Sequence, residues 1–167
     1  MQTTSITIPA DGRESVDLGG IGVTWKIAGA ETAERFSVVH HPLAPRALAA
    51  PLHRHSREDE YSYVLEGTLG ALLGDEVVSA GPGTWVYKPR DQWHTFWNDG
   101  DTHSENIEII SPAGFEVFFR DLADLFGTAA EPDLERMGAL CERYGIEMEP
   151  ASVPGLCARF GLSHPLA

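Results

Sequence analysis

Between residues 66 and 101 the chain is punctuated by one turn signal after another: "EGT", "GDE", "AGPG", "PRDQ" and "NDGD". The segments left between them are too short to hold a stable helix. They are also rich in β-branched and aromatic residues, as in "TWVYK" (84–88), "HTFWN" (94–98) and "ENIEII" (105–110). The same texture extends upstream through "ITI" (6–8), "GVTWKIA" (22–28), "RFSVVHH" (35–41), "EYSYVLEG" (60–67), "LGALLG" (69–74) and "EVVSA" (76–80). Many short strands joined by tight turns predict an all-β, antiparallel sandwich or barrel over residues 1–110.

After residue 110 the pattern changes. In "SPAGFEVFFRDLADLF" the apolar residues Phe115, Phe118, Phe119, Leu122, Leu125 and Phe126 recur at helical spacing. Ser111 is the expected N-cap, Pro112 the first helical residue and Gly127 the stop. A second helix is expected from near Asp133, with Gly145 as its stop, and a third after Pro154. Residues 111–167 read as a helical appendage packed on the barrel within the same domain, because so short a segment is marginal alone.

The 167 residues suffice for one domain with a real core. A net charge of −13 disfavours nucleic acid and anionic membrane as partners, and it concentrates cations near the surface. No apolar run approaches bilayer-spanning length. The start, "MQTTSITIPADG", lacks the basic and apolar parts of a secretory signal, so a cytoplasmic location is expected. Cys141 and Cys157 lie far from any CxxC spacing and read as reduced thiols.

The stretch "PLHRHSREDEYSYVLEG" (51–67) carries the chemistry. Residues two apart on a strand share a face, so His53 and His55 can aim at one point. Glu60 opens the next strand, and His94 begins a later one. Three imidazoles and a carboxylate suit one divalent transition-metal ion: Fe, Mn, Ni, Cu or Zn. Calcium and magnesium prefer all-oxygen shells. A lone HxH is usually a pair of turn histidines; Glu60 and His94 are what raise this one to a metal site.

The spacing resembles the cupin family, whose first motif reads G-x5-HxH-x4-E-x6-G and whose second reads G-x5-P-x-G-x2-H-x3-N. His53, His55, Glu60 and Gly67 fit the first; Gly83, Pro89, His94 and Asn98 fit the second. Ala47 and Asp91 stand where the family has glycine. The resemblance implies a double-stranded β-helix, the cupin or jelly-roll barrel. The helical tail is similar to that of small bacterial quercetin-dioxygenase-like cupins. That likeness implies a metal-dependent oxygenase in which Glu60, on or off the metal, takes a hydroxyl proton from the substrate.

Period-2 counting from the ligands extends the site. Ser62, Phe96 and Asn98 are expected to line the substrate pocket, with Trp93, Thr95 and Trp97 facing away. A lysine inside a barrel is costly, so Lys88 and Val86 are expected outside, which turns Trp85 and Tyr87 inward. Glu108 is expected in solvent, and His40, His41 and His103 read as structural or solvated. The expected cavity is apolar and aromatic-lined, suited to a small aromatic substrate. Isomerisation, cyclisation or decarboxylation without dioxygen, and plain small-molecule binding, are the alternatives. Outward Tyr61, Tyr63, Trp93 and Trp97 need cover from the tail or a second copy, and a homodimer is expected.

Overall fold

The structure, a computed structural model, describes residues 7–10, 14–127 and 133–165. Eleven strands form two antiparallel sheets among these residues. In chain order they are β1 (Ser15–Asp17), β2 (Gly22–Ile27), β3 (Ser37–Leu43), β4 (Leu52–His55), β5 (Asp59–Glu66), β6 (Leu69–Leu73), β7 (Glu76–Ala80), β8 (Trp85–Lys88), β9 (His94–Asn98), β10 (Ser104–Ser111) and β11 (Ile146–Glu149). One sheet runs β1-β2-β3-β10-β5-β8 and the other β11-β4-β9-β6-β7. The turn pattern predicts an antiparallel sandwich or barrel, the resemblance implies a jelly roll, and the sheets have that jelly-roll form. The expected strand over 6–8 falls partly outside the described residues, and positions 7 and 8 are irregular.

Strict alternation sets what the interior contains. β3 buries Ser37, Val39, His41 and Leu43; β10 buries Ser104, Asn106, Glu108 and Ile110. An apolar cluster including Leu43, Val64, Leu69, Val86 and Phe96 fills one part of the space between the sheets. Gly67 makes the β5–β6 turn possible. Its φ is +76°, and a Cβ there would run into Ser104.

Three helices follow: α1 (Phe118–Gly127), α2 (Leu134–Tyr144) and α3 (Val153–Phe160). Asp133 caps α2 by accepting the Arg136 N–H, and Gly145 ends it at φ 66°, both as expected. Ser111 is not an N-cap. It is the last residue of β10, paired with Asp59, and its hydroxyl donates to the Arg35 carbonyl. Helical geometry begins later, with a 3-10 turn over Phe115–Val117. The Glu116 carboxylate anchors that turn by accepting from the Gly29 and Gly114 N–H groups.

The C-terminal part also supplies a strand where only helices are expected. β11 pairs with β4, placing Ile146 opposite His55 and Met148 opposite His53. α1 packs Phe118 against Val23, Trp25 and Val39 of the larger sheet. α3 covers the outer face of the smaller sheet, where Phe160 stacks on Trp97 at 4.5 Å between ring centroids. Trp97 therefore finds its cover within the chain and is 1% exposed. No helix among the described residues is long and apolar enough to cross a membrane.

Candidate metal centre

β4 brings His53 and His55 to one face, β9 sets His94 directly opposite His53, and β5 contributes Glu60. One ligand atom from each lies within 4.8 Å of all the others, and all four side chains are buried. Among the described residues no other group of three or more such side chains converges in this way. The turn leading to β9 is tied to β4 by Asp91, which stands in for a family glycine. It takes φ 63° and donates its N–H to the His55 carbonyl at 2.7 Å.

The hydrogen bonds orient the rings. His53 Nδ1 donates to the Pro51 carbonyl at 2.8 Å, and His94 Nδ1 to the Gln92 carbonyl at 2.9 Å. A carbonyl only accepts, so each neutral ring presents an Nε2 lone pair to the centre. His94 Nε2 then sits 3.2 Å from Glu60 Oε2, and His55 Nε2 sits 3.5 Å from Glu60 Oε1. Neither ring nitrogen of His55 has a hydrogen-bond partner. Lone pairs facing lone pairs in a buried site fit a shared cation.

Protonation states agree with that fit. Burial, then the neighbouring His94 and His55 rings, holds His53 well below the ordinary imidazole value. Burial lowers His55 to about 4. Burial alone would raise Glu60, but Lys88, His55 and His94 hold it well below the usual carboxylate range. Neutral His53 and His55, the His94 ring and an ionised Glu60 could therefore hold a divalent transition metal.

Beyond the ligands, the interior differs from expectation. Trp85 and Tyr87 lie on the outer surface, 55% and 50% exposed, while Lys88 is inside at 1%. Lys88 is not the isolated charge that would be costly inside a barrel, because it has partners. Its Nζ lies 3.0 Å from Glu60 Oε2 and 3.0 Å from Glu108 Oε2, and 4.5 Å above the centre of the Phe96 ring. Glu108 is likewise buried rather than solvated, and it accepts the Ser62 hydroxyl at 2.7 Å. Burial, reinforced by the charge of Glu60, pushes Glu108 up to about 7 against the pull of Lys88 and Ser62. Burial alone would lower Lys88, but Glu108 and Glu60 raise it overall.

Ser62 and Phe96 do point inward. Asn98 is buried but is spent on the backbone: its amide donates to the Leu43, Ala44 and Thr102 carbonyls, and its oxygen accepts from Gly100. It braces a turn rather than lining a pocket. Thr95 faces away from the centre, as expected, on the side of Leu72 and Trp97; it is buried there and donates to the Ala50 carbonyl. His41, read as structural or solvated, is buried. Its Nδ1 bonds the Gly22 carbonyl, its ring meets Phe119 edge-on at 5.5 Å, and burial lowers it to about 4. Phe115 meets the His55 ring edge-on at 4.3 Å. The surroundings of the centre are thus polar and charged on one side, aromatic on the other.

Sequence reasoning missed the inward placement of Lys88 and Glu108 and did not single out Glu58, whereas His41 is structural, one of its two readings. A usable signal was present for Lys88. Across β5 and β8 the partners are complementary: Tyr61 with Tyr87, Tyr63 with Trp85, and acidic Glu60 with basic Lys88.

Residues 39–110 match the family described as Cupin domain. No curated protein matches the sequence. Many solved structures share the fold. KdgF from Halomonas sp. superposes with a TM-score of 0.60 at 20% identity, over 68% of this chain and 99% of its own. A Streptomyces nucleoside dehydratase gives 0.54 at 18%, over 66% and 85%. A sugar phosphate isomerase from Silicibacter pomeroyi gives 0.54 at 22%, over 64% and 75%. Motif, centre and architecture agree: residues 39–110 are similar to the cupin domain, and the chain has the jelly-roll fold of these structures.

Proposed function

We propose that this chain is a metal-dependent enzyme that moves protons on a small, oxygen-bearing substrate, in isomerase, dehydratase or decarboxylase chemistry. The carrying observation is Lys88, buried between Glu60 and Glu108 beside the four candidate ligands. His53, His55, His94 and Glu60 would hold the metal, which as a Lewis acid would polarise a substrate oxygen. Lys88 offers a fixed ammonium to an oxygen that gains negative charge, in surroundings where such a contact is strong. Glu108, pushed up to about 7, is matched to accept and return a proton near neutral pH, and the Ser62 hydroxyl keeps its carboxyl group oriented. Phe115 and Phe119 keep water from the His55 and His41 rings.

A polar interior supports an oxygen-rich substrate better than a bare aromatic one. The fold relatives named as a nucleoside dehydratase and a sugar phosphate isomerase add fold-level analogy. The quercetinase-like oxygenase implied by the sequence remains the second reading, supported by the motif and by Glu60. A homodimer belongs to the same proposal, since Trp85 and Tyr87 are exposed apolar surface, and light scattering reads it directly.

The test is turnover by metal-loaded protein on keto sugars, hydroxy acids and nucleosides in D2O, under air and under argon. The expected result is equal rates in both gases and a product that gains deuterium but no oxygen. Turnover only under air would favour the oxygenase, and tight binding with no chemistry would favour a binding module. Lys88→Met should lower turnover by at least about 100-fold while metal content persists.

A further inference from the structure

Two of the three imidazoles at the centre have a fixed acceptor for the nitrogen that faces away from it. His53 Nδ1 uses the Pro51 carbonyl, and His94 Nδ1 uses the Gln92 carbonyl. His55 Nδ1 has none, although it is buried. The atom that faces it is Glu58 Oε2, 4.0 Å away. That oxygen is also buried and also lacks a hydrogen-bond partner. A buried donor and a buried acceptor left unmatched side by side are costly apart and complementary together.

We infer that Glu58 is the positioning residue of the metal centre: its carboxylate accepts the Nδ1 proton of His55. The inference rests on the metal reading of His53, His55, Glu60 and His94. Accepting that proton fixes the His55 tautomer, so the Nε2 lone pair faces Glu60 and the other ligands. It also sets a carboxyl oxygen behind the ring, which makes Nε2 a better donor to a cation. The carboxylate takes the part that main-chain carbonyls take for the other two rings.

The surrounding turn is built to hold Glu58 in place. Ser56 donates both its N–H and its hydroxyl to the Gly145 carbonyl, at 2.9 and 2.8 Å. Arg57 Nη1 donates to the Arg143 carbonyl at 3.0 Å. The junction of α2 and β11 therefore pins the loop that carries Glu58, as β11 itself pins the strand that carries His55.

The experiment uses the whole chain loaded with Zn(II) and compares Glu58→Ala, Glu58→Gln and His94→Ala. In the wild type, histidine 15N spectra should show all three rings protonated at Nδ1, with the His55 proton protected from exchange. In Glu58→Ala that protection should vanish for His55 alone, and Zn(II) affinity by chelator competition should fall about 10- to 100-fold. Glu58→Gln keeps an acceptor oxygen and should restore both readouts to within about threefold, which loss of folding alone would not do. Wild-type affinity and an unchanged His55 signal in Glu58→Ala would overturn the inference, as would an Nε2-protonated His55 in the loaded wild type. The wild-type spectrum decides the matter even if Glu58→Ala fails to fold. His94→Ala separates the two claims. If it keeps full Zn(II) affinity, or if the wild type binds none, the metal reading falls and takes this inference with it. If only His94→Ala loses Zn(II), the metal reading stands and the Glu58 role alone is rejected.

Discussion

The two faces of the β5–β8 pair invert the usual rule. The outer face is aromatic: Tyr61 stacks on Tyr87 and Tyr63 leans on Trp85, with Trp85 and Tyr87 half exposed. The inner face, from the same strands, carries Glu60, Ser62 and Lys88 beside Val64 and Val86, all buried. Apolar burial normally decides which way a strand faces. Here a network of complementary charge, with Glu108 from β10 as the third member, shares that face with the two valines. The inner face gives up easy burial to place an ammonium and two carboxyl groups next to the candidate ligands, and the outer aromatics make the strand pair cohere from the other side.

Breaking the inner face should have the largest effect. Lys88→Met leaves Glu60 and Glu108 buried without their shared cation, and should cost about 3–5 kcal/mol in the metal-free protein by urea unfolding. Adding Glu108→Gln should recover part of that loss. Two additive single losses would show that the groups do not form a unit.

The second effect comes from pH and has opposite signs within the same interior. The folded-state value of His41 is lowered to about 4, so its contribution is present above about 6.5 and is lost as pH falls toward 4. The shift corresponds to roughly 3 kcal/mol. His41→Gln should therefore gain on the wild type as pH falls through that window. Glu108 is raised to about 7, so its contribution is present below about 4.5 and is lost as pH rises toward 7. Glu108→Gln should gain on the wild type as pH rises. Unfolding curves of metal-free protein at pH 5 and pH 7 check both signs.

The outer face should yield the smallest effect. Trp85→Ala removes one half-exposed cross-strand contact and should cost about 0.5–1 kcal/mol. Zn(II) content should not change. A drop in metal content would show that the two faces are coupled, and the contrast drawn above would need revision.

Much of this was legible in the sequence, and the parts that were not share a cause. Turn signals and alternation marked nearly every strand of the barrel because those cues are local. The four candidate ligands were legible because HxH, Glu60 and His94 stand at fixed spacings in the sequence, although β5 lies in the sheet opposite β4 and β9. Lys88 was misplaced because its desolvation was counted without its partners, which lie 28 and 20 residues away. Asn98 looked like pocket lining because parity says which way a side chain points and not what receives it. Ser111 imitated a helix cap because strand β10 was taken to end one residue early. "IEME" gave no strand signal of its own: its alternation is short and charged, and only pairing with β4 makes it one.

That pairing has a consequence for biogenesis. The strand bearing His53 and His55 is flanked on one side by residues made some ninety positions later. A growing polypeptide emerging from the ribosome can form the β5–β8 network long before it can close the ligand strand. If these side chains hold an ion, its loading would be timed to the end of synthesis, and shortening the chain before Ile146 would leave the strand that bears His53 and His55 without its β11 partner.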